Sequence, residues 1–305
     1  MIKLLVNLII LLFVPFIMTG LINKTKAFWA GRKGASVFQP LYDFVKLVKK
    51  DFVVSKTTSA VFNIAPVFAV ASVLFAGLFV PLATGNAVII TPGDVVIFAY
   101  TLGLGKFMML ISAMDTGSSF EGMGASREAC FSAIVEPAFF MLIASVMVLT
   151  GIPTFYSLYG VVSSSGIYGI LVAVFAVIIL FIMLLTEGAR VPVDDPDTHL
   201  ELTMIHEVML LDNSGLDLAL FSWANSIKVL LISSLIACLI IPFNIPVVLH
   251  ILCYLLVAGF IAVAVGTVES GMARIRMPHV FEFIFIMSSL ALVVISLVMA
   301  KVFGG

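Results

Sequence analysis

Apolar runs of about 20 residues recur along this chain, and they restrict its fold more than any other feature of the sequence. A helix of that length crosses the hydrocarbon core of a bilayer, where every backbone N–H and C=O group must find its partner within the protein. The predicted spans are residues 2–22, 62–83, 95–114, 129–150, 167–186, 220–241, 247–268 and 281–301. With 62% hydrophobic and 11% charged residues, the composition also differs from that of soluble domains. We therefore expect an all-α polytopic membrane protein of about eight transmembrane helices, with residues 1–305 forming a single transmembrane domain.

The positively charged residues indicate on which side of the membrane each loop lies. Twelve of the sixteen Lys and Arg residues follow the first, third, fifth and seventh spans, and none follows the second, fourth or sixth. Cytoplasmic loops of membrane proteins carry the excess of Lys and Arg. The sequence therefore predicts four cytoplasmic segments, residues 23–61, 115–128, 187–219 and 269–280, and it places both termini outside.

The third cytoplasmic segment is the most polar part of the chain. Residues 187–217 contain eight of the seventeen acidic residues and two of the four histidines. A short connection between two spans seldom needs so many carboxylates, so a row of titratable groups at the rim of a cavity is favoured over a solvated acidic loop. The candidate proton-carrying residues of this segment are Glu187, Asp194, Asp197, His199, Glu201 and Glu207.

A helix is predicted within this segment. Asp195 is suited to cap it and Pro196 to begin it, and it is expected to run to about Asn213. His199 and His206 would then share one face. Two histidines seven residues apart, without an HExxH motif, indicate a metal site only weakly, so no metal ligand is assigned.

Three more charged residues lie within or at the end of predicted spans. Lys106 falls near the middle of the third span, and Glu136 falls inside the fourth, directly before Pro137. Because an unpaired charge in lipid is costly, Glu136 is the expected partner of Lys106, and a functional role is favoured for both. The alternatives are a carboxyl group that stays protonated or pairs only for packing, and a lysine that faces a watery cavity. Glu269 ends the seventh span and is expected either to close the polar cluster of the third cytoplasmic segment or to pair with Arg274.

Two further features are predicted on the cytoplasmic side. Apolar residues at positions 38, 41, 42, 45 and 48 form a helical stripe with Pro40 in the first turn, which predicts an amphipathic helix on the membrane surface. Such a helix either holds anionic lipid through its lysines or forms a lip around a partner or lipid-entry site. Residues 115–128 are rich in Gly and Ser and are expected to form a compact loop.

The three cysteines give no sign of a metal or disulfide framework. All of them lie in apolar runs and none belongs to a CxxC pair. The sequence therefore predicts no disulfide framework, no structural zinc site and no iron–sulfur cluster held by this chain alone. No catalytic residue is assigned.

Three stretches of the sequence resemble a known family. They are GRKGASVFQPLYDFVKLVKKD (31–51), GASREACFSAIVEP (124–137) and EGARVPVDDPDTHLEL (187–202). They resemble the complex I membrane component called subunit 1, and its relatives in group 4 membrane-bound nickel–iron hydrogenases. The family patterns are RxGP…LQP…D…KL, GASRE…EP and E..R.PFD…E.E.EL followed by EYSG, and the resemblance covers nearly the whole chain.

Several departures separate the chain from the quinone-reducing members. Gly34-Ala35 stands in place of GP, and Pro192-Val193-Asp194 in place of PFD. His199 stands where complex I usually has an acid, and LTMIHEVMLLDNSG (202–215) replaces the short stretch that ends in EYSG. These departures argue against quinone binding, and they make the chain most similar to the energy-converting, formate-hydrogenlyase-type branch.

The resemblance implies a chain of protonatable groups that faces the cytoplasm and leads into the membrane. The family's carboxylates and arginines match Glu136, Glu187, Asp194, Asp197, Glu201, Arg127 and Arg190. From the sequence itself we add Glu128 as a charge partner and, to the proton path, Lys106, His199, Glu207 and Glu269. Peripheral subunits are expected on the first and third cytoplasmic segments, with contacts at Arg32, Lys33, Gln39, Asp43 and Lys46.

The function implied by the resemblance is that of a non-catalytic subunit in an oxidoreductase complex. The chain would anchor a multisubunit membrane-bound hydrogenase in the inner (plasma) membrane of a prokaryotic cell and couple its electron transfer to proton translocation. The expected partners are peripheral hydrogenase small and large subunits, an iron–sulfur subunit, antiporter-like membrane subunits and membrane lipid, but no nucleic acid. A nickel–iron centre and iron–sulfur clusters are expected in the partners, and no cofactor in this chain. The alternatives are a quinone-binding subunit of an NADH:quinone oxidoreductase, a standalone cation or proton transporter, and a purely structural anchor.

Overall fold

The computed structural model describes residues 2–51, 53–54, 57–164, 166–194 and 204–304. Over these residues the chain is all-α, which confirms the predicted fold class. Its helices are α1 (Ile2–Trp29), α2 (Gln39–Val48), α3 (Ala60–Gly77), α4 (Asp94–Asp115), α5 (Ser119–Thr150), α6 (Ser157–Ser164), α7 (Ile167–Glu187), α8 (Leu216–Ile240), α9 (Val247–Gly271) and α10 (Met277–Gly304), and a short 3-10 helix spans Glu207–Leu210.

Eight of the described helices are long and apolar enough to cross a membrane, namely α1, α3, α4, α5, α7, α8, α9 and α10. They occur in the predicted order, so the predicted set of spans is confirmed. The predicted ends are less accurate. Helix α1 continues past residue 22 to Trp29, and α3 already ends at Gly77.

Helix α8 occupies the centre of the structure. Every residue from Ile227 to Leu239 is buried, so this part of the helix has no face left for lipid. It packs against α1, α2, α3, α6, α7 and α9. A helix that is hydrophobic all round, as this part of α8 nearly is, belongs in the interior of a bundle. Lys228, which lies in this part of α8, is therefore buried inside the bundle.

Helix α2 confirms the predicted amphipathic helix. It has Pro40 in its first turn and no fully buried residue. Phe44 attaches it to the bundle, because its ring centroid lies 5.4 Å from those of Phe16 on α1 and Trp223 on α8. Most of the predicted apolar stripe remains exposed, namely Phe38, Tyr42, Val45 and Val48. These side chains are therefore available to lipid or to a partner.

The second predicted cytoplasmic loop is largely helical. Helix α5 begins at Ser119, so the prediction of a compact loop over residues 115–128 is wrong for most of its length. Glycine is a loop signal in a sequence, but Gly124 lies inside the helix for a packing reason. A Cβ atom at this position would lie 2.4 Å from Val208 Cγ1 and 2.9 Å from Ile205 O. The absence of a side chain lets the 3-10 helix and the residues before it approach α5 closely.

The prediction of a helix in the third cytoplasmic segment is wrong for residues 204–213, which are the part of it that the structure describes. These residues form turns around the 3-10 helix. Side chains hold their backbone, since Arg127 Nη1 donates to Met204 O at 2.9 Å and Asp194 Oδ2 accepts from the N–H of His206 at 2.8 Å. Backbone groups that bond to side chains are not available for a regular helix. The predicted site residues Asp197, His199 and Glu201 lie outside the described residues.

We predict that Gly124→Ala lowers the melting temperature of the purified protein in detergent. An added methyl group would overlap Ile205 O and Val208, and overpacking of this kind costs about 1–3 kcal/mol. Gly122→Ala is the matched control, because a Cβ atom there meets nothing within 4 Å and gains about 1 kcal/mol of helix propensity. Equal melting temperatures for the two variants would show that the close contact at Gly124 does not exist.

Candidate functional site

A buried lysine is bound by two carboxylates from different helices. Lys106 of α4 donates hydrogen bonds to Glu187 Oε1 at the end of α7 and, at 2.7 Å, to Ser132 Oγ of α5. Its ammonium nitrogen also lies 3.4 Å from Glu128 Oε1 of α5. Each of the three charged residues is less than a tenth exposed. These buried charges are therefore compensated by one another and not by solvent.

A second buried lysine completes this group. Lys228 of α8 is 8% exposed, and its ammonium nitrogen lies 3.5 Å from Glu187 Oε2. Each carboxylate oxygen of Glu187 thus faces a different lysine. The buried ion cluster consists of Lys106, Glu128, Glu187 and Lys228, with one residue each from α4, α5, α7 and α8. Two positive and two negative side chains leave it without net formal charge.

The buried ion cluster continues toward the third cytoplasmic segment through His206. This histidine is 6% exposed, and its Nδ1 lies 3.7 Å from Glu128 Oε2. Asp194 fixes its backbone through Oδ2 and holds Arg274 through Oδ1 at 3.1 Å. Asp194 therefore connects the end of α7, the 204–206 backbone and the loop between α9 and α10. In this arrangement it positions its neighbours.

Glu269 forms a separate ion group near the ends of α1 and α7. Its Oε1 lies 3.5 Å from Arg190 Nη1, and its Oε2 lies 3.3 Å from Lys26 Nζ. The sequence left open whether this residue closes the polar cluster of residues 187–217 or pairs with Arg274. The structure pairs Glu269 with Arg190 of that segment and with Lys26, and it pairs Arg274 with Asp194.

The predicted pair of Lys106 and Glu136 is wrong. Lys106 bonds to Glu128 and Glu187, whereas Glu136 is exposed on α5 and forms no ion pair with the described residues. Helix geometry explains the difference. Eight residues separate Glu128 from Glu136, so Glu136 lies about 12 Å farther along the helix and is turned about 80° away.

The remaining predicted site residues lie outside the buried ion cluster. Glu207 is partly buried and lines a cavity with Arg190 and His206. The predicted interface residues are all exposed, namely Arg32, Lys33, Gln39, Asp43 and Lys46. Gln39 Nε2 donates to Asp43 Oδ1 at 2.9 Å, within the first turn and a half of α2.

Two residues of the site were missed or understated by the sequence reasoning. Lys228 lies within the predicted span 220–241 and received no role from the sequence, although a lysine inside an apolar run is the same signal that identified Lys106. His206 was named only for sharing a helix face with His199. Its proximity to Glu128 depends on the folded path of residues 204–206, which local sequence does not show.

The arrangement is suited to transmit changes of charge. Glu128, Glu187, Lys106 and Lys228 are ionisable side chains, and each lies within 3.5 Å of a neighbour of opposite sign. In a low-dielectric interior the proton affinity of each group depends strongly on the charge of the next. A change of charge next to Glu128 therefore changes the proton affinity of the other members of the cluster.

Comparisons with known proteins agree with this membrane architecture. A family profile described as NADH dehydrogenase matches residues 2–300. The chain is 30% identical over 249 residues to hydrogenase-4 component C of Escherichia coli (strain K12), covering 81% of this chain and 77% of the relative. It is 25% identical to formate hydrogenlyase subunit 4 of the same strain, covering 90% of each. It is 26% identical to NADH-ubiquinone oxidoreductase chain 1 of Chondrus crispus, covering 81% of this chain and 78% of the relative.

The fold also matches a solved structure. A chain of the membrane-bound sulfane sulfur reductase, an archaeal respiratory membrane complex, superposes with a TM-score of 0.80 over 97% of both chains, at 18% sequence identity. At that identity the likeness concerns the fold alone. The profile match over nearly the whole chain, together with the 30% identical relative, shows that this protein belongs to the NADH dehydrogenase subunit 1 family, among whose members are membrane subunits of hydrogenases and of complex I.

Proposed function

We propose that this chain is the membrane-anchoring and proton-coupling subunit of a multisubunit membrane-bound hydrogenase related to respiratory complex I. The buried ion cluster is the observation that carries the proposal. Replacing a buried ion pair by well-packed apolar residues is often neutral or stabilising, so a chain that served only as an anchor would have no need of four buried charges. Two relatives, a hydrogenase-4 component and a formate hydrogenlyase subunit, support membership in a complex of this class.

Electron transfer is assigned to partner subunits. An iron–sulfur cluster is usually held by four cysteine thiolates, whereas this chain has three cysteines, on three different helices. Cys130 is exposed and Cys238 is buried. The nickel–iron centre and the iron–sulfur clusters therefore belong to the peripheral hydrogenase subunits and the iron–sulfur subunit in this proposal.

The residues before the 3-10 helix are the element through which a peripheral subunit would act. His206 lies 3.7 Å from Glu128, and its backbone is fixed by Asp194. A partner that changes charge, or that shifts this segment by a fraction of an ångström, alters the charge next to Glu128. Because the cluster is continuous, the change reaches Lys106 and Glu187. The exposed residues of α2 and residues 31–37 provide additional surface for the same partners.

Glu136 indicates where a second membrane subunit would bind. Its carboxylate is exposed on α5 within a span, at a depth where lipid cannot solvate it. A neighbouring membrane subunit with a basic or hydrated surface would cover it. We therefore place an antiporter-like subunit against this face of α5, where it would receive protons or the charge change from the cluster.

Quinone binding is the main alternative within the family, because one relative is an NADH-ubiquinone oxidoreductase chain. The hydrogenase assignment is favoured over it because Gly34-Ala35 stands in place of the GP of quinone-reducing members, and residues 202–215 stand in place of the stretch that ends in EYSG.

We place the chain in the inner membrane of a prokaryotic cell, with segments 23–61, 115–128, 187–219 and 269–280 in the cytoplasm, on the distribution of Lys and Arg. Thiol labelling tests this orientation in a cysteine-free background. Asn244→Cys, in the exposed loop between α8 and α9, should react with an impermeant reagent in intact spheroplasts. Ser36→Cys should react only after the cells are opened. The reverse pattern would contradict the orientation.

We expect Glu187→Gln and Glu136→Gln to lower proton translocation per electron transferred in the complex that assembles. A glutamine at 187 still accepts a hydrogen bond from Lys106, but it removes the negative charge that both lysines share. The measurement is proton uptake and electron transfer in the same membrane vesicles. Glu282→Gln is the control, because that side chain is exposed and contacts His279. Unchanged coupling in both variants would refute the proposed function.

A further inference from the structure

A small cavity lies against the buried ion cluster. This inner cavity has a volume of about 30 Å³ and is lined by apolar residues together with Ser72, Lys106, His206, Asn225 and Lys228. One water molecule needs about 10–15 Å³ of such space and 2–4 polar partners. The inner cavity therefore has room for about two water molecules and has the polar lining that they need.

Two groups in its wall have unused hydrogen-bonding capacity. Asn225 donates through Nδ2 to Gly188 O at 3.2 Å, but its buried Oδ1 has no hydrogen-bond partner among the described residues. Lys228 has three ammonium donors, and its ion contact is with Glu187 at 3.5 Å. A water molecule between these two side chains would accept from Lys228 and donate to Asn225 Oδ1. Buried polar groups are normally paired in this way.

A larger cavity lies on the other side of the same residues. This outer cavity, of about 190 Å³, is lined by Thr19, Asn23, Arg190, Glu207 and Ser222, among others. Asn23 and Ser222 are exposed, so it opens at the protein surface. The residues that line both cavities are Met109, His206, Phe221 and Asn225. Two of these four are apolar, which leaves His206 and Asn225 as the polar groups between the surface and the cluster.

We propose that His206, together with water held in the inner cavity by Asn225 and Lys228, forms the route by which protons reach the buried ion cluster from the outer cavity. The inference rests on the proposed coupling function and names the entry point of that function. An imidazole can accept a proton near neutral pH and release it again. Here it would receive the proton from water in the outer cavity and pass it to Glu128, 3.7 Å from Nδ1. Through the inner water it would pass the proton to Lys228 as that lysine gives one of its own to Glu187 Oε2, 3.5 Å away. Each step moves one proton and no electron.

The surroundings of His206 suit a relay. Glu128, Lys106 and Lys228 lie on the cluster side, and Arg190 and Glu207 line the outer cavity. The backbone hydrogen bond from His206 to Asp194 holds the residue between the two cavities. The ring can therefore serve both sides without a large movement of the main chain.

Two variants of the assembled complex test the route, with the rate of turnover-driven proton translocation as the readout. His206→Gln removes the exchangeable group, and Asn225→Leu removes the carbonyl oxygen that would hold the water. Both should slow translocation by roughly 100-fold, the lower end of what a positioned proton-transfer group contributes. His279→Gln is the matched control, because His279 is exposed and pairs with Glu282. It should leave the rate unchanged.

A third variant separates proton relay from a structural role. His206→Ala leaves space beside the outer cavity, and added imidazole should restore much of the lost rate, whereas a residue needed only for packing would not be rescued. Normal translocation in His206→Gln or in Asn225→Leu would overturn the route. If His206→Gln lowers the amount of complex, Asn225→Leu and the imidazole rescue decide the question. If Glu187→Gln loses coupling while His206→Gln and Asn225→Leu keep normal rates, the route is refuted and the proposed function stands. If all three variants couple normally, the route and the proposed function are both refuted.

Discussion

The contact between Lys106 and Glu187 is the interaction on which the rest of the site depends. A lysine in the middle of a membrane span must be neutralised, and here two carboxylates and a second lysine share the task. Because α4, α5, α7 and α8 each supply one member, the charges can be satisfied only when these four helices take their observed positions. Removing one partner from a buried ion pair costs about 3–5 kcal/mol, so the cluster strongly favours this arrangement of helices. The same dependence makes it responsive to any change of charge at its edge.

The edge of the cluster is held by groups outside the membrane spans. Asp194 connects the backbone at His206 to Arg274, and Gly124 allows Ile205 and Val208 to pack closely against α5. A segment that is fixed at several points but lies outside the long helices can be moved as a unit by a bound partner. In this account, coupling needs only a small displacement or a charge change next to Glu128, since the cluster itself carries the effect inward.

The sequence predicted the parts of this structure that depend on local pattern. The spans, the amphipathic helix at Gln39–Val48 and the position of Glu187 at the end of α7 follow from hydropathy, periodicity and proline placement. The ion pairs between helices could not be predicted in this way, because they depend on which helix faces meet in the folded protein. Glu136 was predicted to pair with Lys106 because both residues lie within apolar runs of the sequence. In the structure Glu128 contacts Lys106, and Glu136 is turned about 80° away from Glu128 around the same helix. The prediction of a helix reaching Asn213 is wrong over residues 204–213, because side chains from distant positions form hydrogen bonds with backbone groups of this segment.

The most direct test of the coupling role uses the complex that surrounds this chain. We would tag the chain, extract it in mild detergent, and reconstitute the co-purifying complex into vesicles. Nickel and iron content, hydrogen evolution from a reduced viologen and proton movement across the vesicle membrane would be measured on one preparation. The account predicts a nickel-containing complex that evolves hydrogen and moves protons, with the proton gradient abolished by an uncoupler. A chain that purifies alone, or a complex with iron but no nickel that reduces quinone, would contradict it.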